Sequence, residues 1–102
     1  PAGAGADDEV GRWQDGKFEI DITSRIKDAA QYRVRFMPES GRVTGISQFQ
    51  LLLGGVSAPQ LVRLDPTAPN VLILTMTEIG QKAILSGTVA GAESGAILLE
   101  IM

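Results

Sequence analysis

The stretch Lys17-Phe18-Glu19-Ile20-Asp21-Ile22 alternates strictly, with Phe18, Ile20 and Ile22 on one side and Glu19 and Asp21 on the other. Successive side chains of an extended chain point to opposite faces, so this is the pattern of a strand with one face buried and one in water. Working outward, Thr23-Ser24 can cap a short connector over Arg25 to Ala30. Tyr32-Arg33-Val34-Arg35-Phe36 then repeats the alternation, with the aromatics and Val34 inward and two arginines outward.

Glu39-Ser40-Gly41-Arg42 is turn chemistry and leads into a long strand from Val43 to Leu53. Along it Ile46, Phe49, Leu51 and Leu53 share a face if the strand kinks or bulges near Gly45. Gly54-Gly55 ends it. A strand over Gln60 to Asp65 is stopped by Asp65-Pro66-Thr67-Ala68-Pro69-Asn70, because proline cannot donate to a ladder. Val71 to Glu78 is nearly continuous apolar, as in a strand covered on both sides or carrying a wide inner face. Lys82 to Ala90 and Ala96 to Met102 form two final strands across a turn at 91–95. Turns roughly every 8 to 12 residues mark an all-β fold, an antiparallel β-sandwich of jelly-roll type. Pro1 to Gly11 is small or acidic and without period, so it reads as a flexible segment or linker. Residues 12–102 form one sandwich domain, with the C-terminal strand tied into a sheet.

Composition narrows the chemistry. The 102 residues contain no cysteine and no histidine. Thiolate chemistry, the common zinc sites and the serine and cysteine triads are therefore not expected, and no cofactor is implied. A net charge of -3 is far from the basic balance that draws a phosphate backbone, so nucleic acid is not an expected partner. No apolar run approaches the roughly 20 residues of a membrane span. The opening Pro1-Ala2-Gly3-Ala4-Gly5-Ala6-Asp7-Asp8-Glu9 lacks the basic start and apolar stretch of a signal peptide, as in a mature exported protein or an excised domain.

The run WQDGKFEIDITSRIKDAAQYRVRF from Trp13, followed by ESGRVTGISQFQLLLGG from Glu39, resembles the galactose-binding-like β-sandwich modules that accompany bacterial fucosidases and other glycoside hydrolases. The shared string is a tryptophan and glycine, a strand ending in Asp-Ile-Thr, a Tyr-x-Val-x-Phe strand, a Ser-Gly turn and a leucine-rich strand. The resemblance covers Trp13 to Gly55 and departs at Ala29-Ala30-Gln31, where such modules often carry glycine before the tyrosine. It implies a jelly-roll accessory module, carbohydrate-binding, in an extracytoplasmic bacterial protein.

Trp13 has two readings: a plug at the end of the core, the usual fate of a large aromatic, or an indole stacked on a sugar ring. Arg33 and Arg35 either form cross-strand ion pairs with Glu19 and Asp21, should those strands pair, or supply a polar sugar-binding face. Trp13, Arg33 and Arg35 are the candidate ligand-binding residues. Asp7-Asp8-Glu9 and the pair Asp65 and Asn70 could offer oxygens to calcium, but solvated tail and turn chemistry explain them, and no metal site is expected. Carboxylates on outward strand positions suggest no catalytic cleft, so the chain is not expected to be an enzyme. Two functions remain: a non-catalytic glycan-binding module, or a structural domain that docks an adjacent domain or a second copy as a homodimer through the outer face of Val71 to Met76 or an edge strand.

Overall fold

A computed structural model describes residues 8–102. Within them nine strands form two antiparallel sheets: β1 (Asp8–Trp13), β2 (Lys17–Asp21), β3 (Gln31–Pro38), β4 (Gly45–Leu53), β5 (Val56–Ser57), β6 (Val62–Leu64), β7 (Val71–Thr75), β8 (Ala83–Ala90) and β9 (Gly95–Ile101). The five-stranded sheet runs β1-β9-β3-β7-β6 and the four-stranded sheet β2-β8-β4-β5. This is the expected β-sandwich, compatible with a jelly roll. The C-terminal strand β9 lies between β1 and β3, so the end of the chain is held on both sides.

The period-two reading carries through to burial. Phe18, Ile20 and Ile22 are buried from the four-stranded sheet, and Tyr32, Val34 and Phe36 face them from β3. Leu51 and Leu85 from the four-stranded sheet and Leu72, Leu74 and Ile97 from the five-stranded sheet fill the same interior. Phe36 links the layers: its ring lies 4.8 Å from that of Phe18 at 59° and 5.7 Å from that of Trp13. Such tilted contacts add to area burial because the positive edge of one ring meets the negative face of another. Tyr32 keeps its ring inside while its hydroxyl donates to the carbonyl of Asp28 at 2.6 Å.

Several sequence expectations are corrected. Asp8 to Gly11, expected in the flexible segment, form the start of β1 and pair with β9; a register shift between Glu9 and Gly11 lets this edge strand follow the twist. Residues 1–7 lie outside the described residues. The bulge of β4 falls at Gln48 and Phe49, three residues beyond Gly45: Ser47 faces Thr88 and Gln50 faces Ser86, so two residues oppose the single Gly87. Gln48 takes a φ of 53° to make the bend. The segment before Val62 is a 3-10 turn over Pro59–Leu61, opened by the proline.

Two carboxylates fasten turns. Asp21 accepts from the hydroxyl of Thr23 at 2.6 Å and from its N–H at 2.9 Å, and Asp65 accepts from the N–H of Thr67 at 2.8 Å and from its hydroxyl at 2.7 Å. These donors favour the charged form and hold both carboxyls below the ordinary value of 3.8. A lowered folded-state pKa gives stability that is complete above the unfolded value and is lost as pH falls through the folded one. The variant D21N/D65N should therefore lose less melting temperature than the parent on acidification below about pH 4. Equal losses in a thermal melt series would refute the assignment.

Candidate functional site

The structure separates the three candidate residues. Trp13, at the end of β1, is 0% exposed, and its Nε1–H donates to the carbonyl of Ala92 at 3.0 Å. The indole is a plug between the sheets and offers no face to a sugar, which corrects its reading as a stacking platform. Arg33 and Arg35 stand on the opposite, outer side of the five-stranded sheet, away from Trp13. Their expected acids are elsewhere. Glu19 and Asp21 belong to β2, which pairs with β8 in the other sheet, so the proposed cross-strand pairs do not form. Arg33 instead makes an ion pair with its register neighbour Glu100 on β9.

The outer face of β7 is likewise closed. Ile73 lies in register between Arg33 and Arg63 and is only 4% exposed, and Val71 beside Arg35 is buried. Long arginine stems cover apolar neighbours while keeping the guanidinium in water. Val71 to Met76 is therefore no open docking face, contrary to the expectation for that strand; Leu72, Leu74 and Met76 belong to the core. Of the possible cation ligands, Asp8 pairs with Arg25 at 3.7 Å, Glu9 with Arg12 at 3.8 Å and Asp65 accepts from Thr67, while the Asn70 amide nitrogen donates to the carbonyl of Phe36. Asp7 lies outside the described residues. Among those residues no helix is long and apolar enough to cross a membrane.

A site that the sequence did not single out lies on the outer face of the four-stranded sheet. There the outward side chains of Lys17, Glu19, Ser86 and Thr88 flank the bulge at Gln48, while the Phe18 ring, in register with Gly87, is turned into the core. Gly87 is required by close approach: a Cβ at this position would sit 2.8 Å from Cζ of Phe18 and 2.9 Å from Cα of Phe49. On the outer face an open groove of about 400 Å³ is lined by Lys17, Phe18, Glu19, Gln48, Ser86, Gly87 and Thr88. Around it most polar groups of the sheet are already satisfied. Ser47 and Thr88 share a hydrogen bond at 2.8 Å, Gln50 donates to Ser57, and Asp21 holds Thr23. Lys17, Glu19, Gln48 and Ser86 have no side-chain hydrogen bond or ion pair among the described residues, and all four border the groove. They present an ammonium, a carboxylate, an amide and a hydroxyl, a mixed set of donors and acceptors suited to a neutral polyhydroxylated ligand. A sequence signal existed in Gly87, an isolated glycine inside a strand pattern, which marks a bulge or a close backbone approach.

Comparison with protein-family models finds no match for this chain, and comparison with curated proteins finds none.

Proposed function

We propose that this chain is a non-catalytic accessory module that binds a neutral saccharide on the outer face of its four-stranded sheet. The observation that carries this reading is the convergence of Lys17, Glu19, Gln48 and Ser86, all without side-chain partners among the described residues, on the open groove of the outer face. Binding hydroxyls there replaces water on these groups, and the paired strands β2, β4 and β8 fix the backbone positions from which the side chains reach the ligand. The sandwich fold and the resemblance to galactose-binding-like jelly-roll modules point the same way. They also suggest the setting, an exported bacterial protein acting on glycans.

Titration with a panel of neutral mono- and oligosaccharides, read by amide chemical shifts, tests the proposal. Shifts should concentrate at Glu19 and Ser86 to Thr88, and the variant E19A/Q48A should bind at least about tenfold more weakly, the loss expected for removing one or two good polar contacts. Silence across the panel, or unchanged binding by the double variant, would exclude the groove as the site.

A second reading, docking to a neighbouring domain or a second copy, is favoured by Val56 and Ile79, which are 69% and 53% exposed. Ile79 also lines a small cavity with Ile26, Leu53, Leu61 and Met76. Sedimentation at the concentrations used for the titration reads this out directly.

A further inference from the structure

The opposite use of charge is found where the loops after β3 and before β7 meet. Arg42 stands there without an acid. Among the described residues, Arg12 is held by Glu39 and Glu9, Arg25 by Asp8 and Arg33 by Glu100. Arg63 lies close enough to Asp65 for its charge to help lower that carboxyl's pKa. Glu39, the acid nearest to Arg42 in its own loop, is the one taken by Arg12. No hydrogen bond or ion pair to the Arg42 side chain occurs among these residues.

Arg42 borders a groove of about 510 Å³ whose other walls are Pro38, Gly41, Val43, Pro69 and Asn70. The walls are stiff. Gly91 packs so tightly under the loop that a Cβ there would lie 2.9 Å from the Thr44 nitrogen and closer still to the Arg42 carbonyl oxygen. Thr44 N–H donates to the Ala90 carbonyl at 2.9 Å, and Phe36 N–H to the Asn70 carbonyl at 2.9 Å. The Asn70 amide nitrogen is turned to the Phe36 carbonyl, which leaves its side-chain oxygen as an acceptor beside the groove.

We propose that this groove is a second, anionic ligand site that takes a hexuronic acid residue, with Arg42 binding the carboxylate. A planar guanidinium with all its donors available matches a carboxylate in a two-point fork. The proline rings supply an apolar wall for the C–H face of a pyranose ring, and the Asn70 oxygen accepts from a ring hydroxyl. With a net charge of -3, the chain exerts no general pull on polyanions, so recognition rests on this one cation. The ligand class follows the saccharide reading above, but the site uses none of the residues of the Gly87 groove.

The test is an amide chemical-shift titration of the whole chain with D-glucuronate and an oligogalacturonate, with glucose and acetate as controls. The uronates should shift Gly41 to Val43 and Asn70, and R42Q should weaken binding at least about tenfold, with R42K intermediate because it keeps charge and loses the fork. Raising salt to 0.5 M should weaken binding further, as expected for a solvent-exposed ion pair. Binding that survives R42Q, shifts absent from this loop pair, or acetate binding as tightly as glucuronate would each overturn the proposal. Because the Gly87 groove is read from Glu19 and Ser86 to Thr88 in the same spectra, failure at either site is seen separately.

Discussion

Replacing Trp13 with alanine should destabilise the domain by about 3–5 kcal/mol, the range for deleting a fully buried large aromatic. Three losses coincide. The indole leaves a cavity at the end of the core, Phe36 loses a ring contact at 5.7 Å, and the Ala92 carbonyl loses its donor while buried nearby. For a domain of this size, such a change lowers the melting temperature by roughly 12–30 °C. Because natural domains are stable by only about 5–15 kcal/mol, the alanine variant can be largely unfolded at 37 °C. Trp13→Phe separates the causes: it restores most of the volume but not the N–H, so it should recover more than half of the lost stability in chemical denaturation. A Trp13→Ala variant melting within a few degrees of the parent would show that the indole is not a core plug.

Gly95→Ala is the second large effect, and it arises from crowding rather than from a void. A Cβ on Gly95 would come within 2.7 Å of Cζ3 of Trp13 and closer still to Cη2 and to the carbonyl oxygen of Met37. The indole is a side chain and can yield, but the Met37 oxygen belongs to the backbone of β3, paired in register with β9. Relief requires the two central strands to move apart, which puts the cost at about 3 kcal/mol, the upper part of the usual range for overpacking. The double variant W13F/G95A distinguishes the two contacts. Loss of stability nearly equal to the sum of the single losses assigns the strain to the Met37 carbonyl, whereas clear rescue by phenylalanine assigns it to the indole.

The same corner shows how local and long-range information divide. Gln14-Asp15-Gly16-Lys17 is a two-residue turn in which Asp15 and Gly16 take positive φ values of 53° and 70°, with reciprocal backbone bonds between Gln14 and Lys17. Asp-Gly between alternating segments is a strong local hairpin signal. Here it joins two different sheets: β1 leaves to pair with β9 and β2 with β8. The turn is encoded locally, but its use as a corner depends on partners more than sixty residues away in the chain.

For the candidate sites the division is sharper. Arg33 and Arg35 were legible as outward-facing, since orientation follows from period two. Their acid partner was not, because Glu100 reaches Arg33 only through the pairing of β3 with β9. The polar groove was hidden for the same reason. Lys17, Glu19, Gln48 and Ser86 come from three strands, and their meeting depends on the bulge opposite Gly87. Arg42 was visible only as a turn residue; its lack of a partner is a property of the folded charge arrangement.

By itself the order of residues determined the strands, the faces they bury, the turns that end them and the aliphatic interior of a β-sandwich. Each of those depends on torsions and side-chain directions within a few consecutive residues. Tertiary structure alone decided which strands are neighbours, that Trp13 is enclosed and which polar side chains are left to bind something else. Backbone hydrogen bonds join any two extended segments alike, so the choice among partners is settled only when the whole interior packs at once.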